Sequence, residues 1–175
     1  MFQPLAEVAT ALRAPSDTDI PLLGKMRNDL PTQYSLLASP KPNSLDDVRA
    51  WIERRCSDPS GLFFVIADRT GSAVGFTQVV EIDRRSRHGA FGIAVDHRHR
   101  GQGHARRALG LLVERCTADG RLDKLILQVA ADNAAARAIY SAQEFRDVGT
   151  LRRHYRGPER WHDVTIMERF LGGAA

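Results

Sequence analysis

A chain of 175 residues, 43 % hydrophobic and 26 % charged, can bury roughly 70 % of its unfolded surface, so it is read as one domain over residues 1–175 that needs no disulfide or metal staple. Its two cysteines, Cys56 and Cys116, fit no CxxC or paired framework, and the opening MFQPLAEVATALRA has neither a basic n-region nor a long apolar run; core-packed reduced thiols, no signal peptide, no membrane span and a cytoplasmic location are expected. The net charge of +4 and the pI near 9.5 come mostly from arginine, but the cations form no single run and aromatics do not alternate with them, which argues against a nucleic-acid-binding chain.

In chain order, Val8 to Arg13 reads as a first strand. Ser16, Asp17, Thr18 and Asp19 offer N-caps to a helix carrying Leu22, Leu23 and Met26. Leu30 to Asn43, with three prolines, reads as a loop and as the candidate mobile lid. Ser44 caps a second helix, with Asp47 at the capping-box position and Leu45, Val48, Trp51, Ile52 and Cys56 at helical spacing. Leu62 to Asp68 and Val74 to Asp83 form a hairpin around Arg69–Ser72. Arg84 to Gly89 is the next turn and Ala90 to Val95 the central strand.

After that strand comes Arg98-x-x-Gly101-x-Gly103 and then a helix with Ala105, Ala108, Leu109, Leu112 and Cys116 on one face. A glycine turn at a helix start aims several main-chain N–H groups at one point, which suits a phosphate or pyrophosphate. The N–H groups of Gly101, Gln102, Gly103, His104 and Ala105 are the candidates, and the glycines let backbone approach the ligand. Arg98, Arg100, Arg106 and Arg107 are expected to surround the same point and attract an anion. An ordinary βα turn is the plain alternative. A dinucleotide fingerprint fails because Arg106 stands where its third glycine belongs, and a Walker loop fails for want of Gly-Lys-Ser/Thr. Leu125 to Val129 is a second buried strand, followed by a helix from Asn133 to Gln143. Arg146 to Tyr155 and His162 to Phe170 read as a closing antiparallel hairpin.

Two strand-to-helix units in tandem, the first with the phosphate turn and the second with Asn133-x-x-Ala136-x-x-x-Tyr140-x-x-x-x-Phe145, resemble the GNAT superfamily of acyl-CoA-dependent N-acetyltransferases. The resemblance runs from about Val8 to Phe170. It implies an α/β (α+β) fold, with a mixed central sheet of about seven strands flanked by about four helices, which agrees with the pattern of elements. It implies acetyl-CoA as co-substrate, no metal, and a primary amine acceptor on a small molecule, an amino sugar or a peptide N-terminus. Arg98 begins the pyrophosphate cradle, with Arg100 also counted among the cofactor-binding residues, and the main chain of Ile93, Ala94 and Val95 meets the thioester end. Asn133 and Ala136 hold the pantetheine arm, with Asn133 also a default N-cap. Tyr140 protonates the leaving thiolate; its default alternative is core packing.

The general base is the weakest match. The central strand AFGIAV has no carboxylate, and Gln128 stands where some relatives carry Glu. Glu81, Asp83 and His88 remain as candidates, beside deprotonation through water. Glu144 replaces the usual glycine before Phe145, which questions the helix cap there. The tail, Gly149-Thr-Leu-Arg152 with Asp163 and Met167, resembles the branch of ribosomal-protein alanine and nucleotide-amino-sugar acetyltransferases, and Trp161-His162-Asp163 is a candidate acceptor contact. A monomer or homodimer is expected. The rival readings are a non-catalytic acyl-CoA-binding sensor, favoured by the missing carboxylates, and a basic nucleic-acid-binding domain.

Overall fold

The computed structural model describes residues 9–172. A continuous apolar run makes a strand of Leu62–Ala67 (β2), and a largely apolar, β-branched stretch makes one of Ala73–Asp83 (β3). The turn between them is closed by the Asp68 carboxylate, which accepts the N–H groups of Thr70 and Ser72 at 2.8 and 3.0 Å. Ala11–Arg13 (β1) pairs with β2; the Val8 end of the expected first strand lies outside the described residues. His88–Val95 (β4), Lys124–Ala130 (β5), Arg146–Arg156 (β6) and Trp161–Phe170 (β7) complete a seven-stranded sheet in the order β1-β2-β3-β4-β5-β7-β6. Only β4 and β5 run parallel, so the sheet is mixed as expected.

Helices cover both faces. On one, Ile20–Asn28 (α1) and Leu45–Ser57 (α3) bury Leu23, Met26, Val48 and Trp51 against Phe63, Val65 and Phe76. Trp51 meets Phe63 and Phe76 edge-on at centroid distances of 5.1 and 5.3 Å. On the other, His104–Asp119 (α4) and Ala134–Ser141 (α5) close over Leu125, Leu127 and Val129 with Leu109, Leu112 and Cys116. Each such buried side chain contributes about 1.5–3 kcal/mol. Among the described residues no helix is long and apolar enough to cross a membrane.

Three expectations are corrected. Leu30–Ser35 is a short helix (α2) and not loop, which gives five α-helices among the described residues where about four were expected. Asp29 caps it, accepting the Thr32 N–H at 3.0 Å, and Pro31 sits in the first turn, where its missing N–H is harmless. The stretch after it is anchored rather than free to act as a lid. Asn43 and Asn28 exchange hydrogen bonds at 2.9 Å, and the Tyr155 hydroxyl donates to the Ala38 carbonyl at 2.7 Å. Cys56 faces solvent, because the buried stripe of α3 runs through Val48 and Trp51; Cys116 is buried as expected.

Glu144 keeps the left-handed cap at φ +62 despite its side chain, and its carboxylate pairs with Arg169 at 2.9 Å. A non-glycine residue there costs about 1–2 kcal/mol, more than an exposed ion pair of about 0–1 kcal/mol returns. Glu144→Gly is therefore expected to raise stability by about 0.5–1 kcal/mol in urea unfolding. A loss would mean that the Arg169 pair outweighs the backbone strain.

Candidate active site

The turn after β4 is organised by a buried acid. The Asp96 side chain is 1 % exposed, and its Oδ1 accepts both the N–H and the Nε of Arg98 at 3.0 Å. Burial opposes ionisation, but the Arg98 bonds outweigh it and hold the carboxyl at about 2. The chain then makes one turn of 3-10 helix at His97–His99, passes Gly101 at φ +73 and Gly103 at φ +89, and enters α4. Among the described residues, the N–H groups of Gly101, Gln102, Gly103, His104, Ala105 and Arg106 meet no acceptor. The N–H of Arg107 is the first to find its helical partner, Gly103 O at 3.1 Å. A row of unpartnered donors at the positive end of a 16-residue helix has the geometry that suits an anion.

Two of the four arginines expected around this point are spoken for. Arg98 is folded onto Asp96. Arg100 bridges the end of β4 to α2, donating from Nε to Val95 O at 2.9 Å and from Nη2 to Thr32 Oγ1 at 3.0 Å. Both shape the turn from within. The His104 ring is buried, with Nδ1 2.9 Å from Thr10 Oγ1, and burial then His99 lower its pKa, so it stays neutral at pH 7.

Beside the turn the sheet is open. The β4–β5 ladder pairs His88, Gly89 and Ala90 with Lys124, Leu125 and Ile126 and then stops, although the strands run on to Val95 and Ala130. The Asp96 N–H donates to Val74 O at 2.8 Å, so alternation along the antiparallel β3–β4 ladder turns the main chain of Ala94 toward β3. It turns Ile93 and Val95 the other way, toward the gap. Across that gap, Asn133 caps α5 by accepting the Ala136 N–H at 3.1 Å, and its Nδ2 has no partner among the described residues. Tyr140, on the same helix, packs edge-on to Phe91 and beside Phe145, both at 6.0 Å. Burial pushes its phenol up to about 12, and no described group bonds its hydroxyl.

A cavity of about 540 Å³ opens on the opposite face of the sheet, toward α1–α3. Glu81 and His88 line it together with Gln128. Glu81 reaches it through a bulge: Val80 pairs with Ala90 and Asp83 with His88, so Glu81 and Ile82 oppose Gly89 alone, and Glu81 takes φ +53. Gly89 makes the bulge possible, since a Cβ there would lie 2.5 Å from Val79 Cγ1. Asp83 instead closes the following turn, accepting the Arg85 and Ser86 N–H groups. The Trp161-His162-Asp163 segment also lies outside the cavity lining; Asp163 accepts the Arg153 N–H at 2.7 Å and His162 faces Asp132 at 3.3 Å. A smaller depression of about 280 Å³ around Leu62, Ile82 and Leu122 holds none of the expected site residues. Sequence reasoning missed Arg27, Arg55 and Gln78, which line the larger cavity from three different elements.

Residues 10–146 match the profile of a family described as "Acetyltransferase (GNAT) domain". The chain is 30 % identical over 119 residues to the L-amino acid N-acetyltransferase AaaT of Escherichia coli (strain K12), covering 67 % of this chain and 74 % of that protein. It is 26 % identical over 124 residues to a spermidine N(1)-acetyltransferase of Vibrio cholerae, covering 71 % and 72 %. The crystal structure of spermidine N-acetyltransferase from Vibrio cholerae with CoA and spermine superposes with a TM-score of 0.86 over 93 % of this chain and 95 % of that one, at 23 % identity.

Proposed function

The chain belongs to the GNAT acetyltransferase family and uses acetyl-CoA to acetylate an amine nitrogen, and from that premise we propose where each step of the transfer takes place. The CoA pyrophosphate sits on the N–H row from Gly101 to Arg106. The pantetheine arm fills the gap left by β4 and β5, with Asn133 Nδ2 donating to one of its carbonyls. Ala136 offers that arm a side with no bulk. The acceptor amine enters from the cavity. Its nitrogen attacks the thioester carbonyl and forms a C–N bond; the oxyanion is met by the N–H of Ile93 or Val95. The C–S bond then breaks, the thiolate takes a hydrogen bond from Tyr140, and the nitrogen gives its proton to Glu81, directly or through water or His88. No covalent enzyme intermediate is needed.

The observation that carries this reading is the β4–β5 ladder stopping at Ala90, beside a row of unpartnered N–H groups. The oxyanion contact needs no break in the β3–β4 pairing, because Ile93 and Val95 already turn away from β3. Retention of an unbonded Tyr140 hydroxyl beside the gap supports an enzyme over a non-catalytic sensor.

Glu81 is exposed, and water or His88 can stand in for it, so Glu81→Gln is expected to cost about tenfold in kcat/KM at pH 7, below the usual range for a general base. The loss should shrink toward pH 10, where the free amine is abundant. An equal loss at every pH would make Glu81 a binding or structural residue.

A further inference from the structure

Two residues that line the acceptor cavity each hold a buried polar atom without a partner among the described residues: Gln78, at Oε1, and Arg55, at Nε. Each carries the cost of desolvation with nothing returned, which marks the polar wall made by Gln78 and Arg55 as incompletely satisfied. Charge points the same way. Arg27 and Arg55 both line the cavity, and neither forms an ion pair with a described carboxylate. Arg27 is held over the Trp51 ring at 4.5 Å and donates from Nε and Nη2 to Asn43 Oδ1, which leaves Nη1 without a partner among the described residues. Burial, then the neighbouring Arg55 and Arg54, lower its pKa, and the nearby Asp47 carboxylate offsets only part of this. Against these two guanidiniums the lining offers one carboxylate, Glu81. Trp51, Phe76 and Leu36 supply apolar wall in the same cavity.

We propose that the acceptor is an amine that itself carries a carboxylate, with Arg55 and Arg27 holding the carboxylate, and Gln78 and Glu81 receiving the amine. The apolar wall favours an apolar side chain between the two ends. A polyamine is disfavoured, since its second cation would meet guanidiniums. This assignment rests on the acetyl-transfer reading for which end of the molecule reacts. A free amino acid and a peptide N-terminus with a nearby acid share the required chemistry.

The test uses the full chain, loaded with CoA for binding and with acetyl-CoA for turnover. The probes are L-leucine against L-leucinamide, L-phenylalanine against its amide, a short peptide with an acidic second residue, and spermidine. The carboxylate member of each pair is expected to bind about 10–100-fold tighter, the range of a charge-assisted bond, with the difference in KM rather than kcat. Arg55→Gln should bring the ratio within each pair close to one, and Arg55→Lys should restore part of it. If only the free amino acids show the preference, the natural acceptor is a small molecule; if only the acidic peptide does, it is a chain terminus. Equal or tighter binding of the amides or of spermidine, or a ratio that Arg55→Gln leaves intact, overturns the proposal. Carboxylate-selective, Arg55-dependent binding without any transfer would uphold this site and refute the transfer reading; transfer without selectivity would do the reverse.

Discussion

Gly103→Val is expected to weaken CoA binding by at least 100-fold. Gly103 stands at φ +89, immediately before α4, in the middle of the unpartnered N–H row. A valine there must either hold a left-handed backbone that β-branched residues avoid, or turn the peptide and misdirect the N–H groups on both sides. If the backbone holds, its methyl groups occupy the side from which a pyrophosphate approaches. The strain alone would lower stability, so a matched control is needed. Gly120 caps the other end of the same helix at φ +67, with nothing within 4 Å of a Cβ built there. Gly120→Val should lose comparable stability in urea unfolding and keep its CoA affinity in calorimetry. Arg98→Ala should cost less affinity than Gly103→Val, because that guanidinium is committed to Asp96. An unchanged dissociation constant for Gly103→Val would remove the phosphate from this turn.

Tyr140→Phe is expected to slow single-turnover acetyl transfer by about 100-fold, or about 2.7 kcal/mol, at unchanged CoA affinity. The ring keeps its contacts with Phe91 and Phe145, so only the hydroxyl is tested. With the phenol at about 12, full proton transfer to a thiolate of pKa about 8.5 would be uphill by roughly 5 kcal/mol. The hydroxyl therefore acts as a hydrogen-bond donor to sulfur as charge builds, which limits its worth to about 1.5–3 kcal/mol. The raised pKa also fixes a pH signature: the donor form persists until the pH nears 12, so no alkaline loss assignable to Tyr140 should appear up to pH 10. Because the hydroxyl has no partner among the described residues, Tyr140→Phe should also melt no lower than wild type. A single-turnover rate within twofold of wild type would return Tyr140 to core packing alone.

Local signals carried most of the fold. The apolar runs of β2 and β3 on either side of the Arg69–Ser72 turn, the Ser44–Asp47 capping box and the helical stripe through Leu109 and Leu112 each depend on neighbours in sequence, and each element formed within a few residues of its expected ends. Leu30–Ser35 was obscured because three prolines suggested a loop, although Asp29 before Pro31 is a cap followed by a tolerated first-turn proline. At the site, the glycine turn and the Asn133–Tyr140 spacing were legible for the same local reason. The arginines were not. Nothing within the turn motif itself says that Asp96 is buried beneath it and will claim Arg98, or that Thr32 will meet Arg100. The facing of Arg27, Arg55, Gln78 and Glu81 across one cavity depends on how α1 and α3 lie on the sheet and on a bulge in β3, and no periodicity encodes either.

The central claim is that acetyl-CoA lies along the gap between β4 and β5 with its pyrophosphate on the start of α4. A crystal structure with acetyl-CoA tests it most directly. The account predicts pyrophosphate oxygens within hydrogen-bond distance of the N–H groups between Gly101 and Arg106, the pantetheine arm against Asn133 Nδ2, and the thioester sulfur beside the Tyr140 hydroxyl. A cofactor bound elsewhere, or a pyrophosphate held by arginine side chains with the α4 N–H groups still unpartnered, would contradict it.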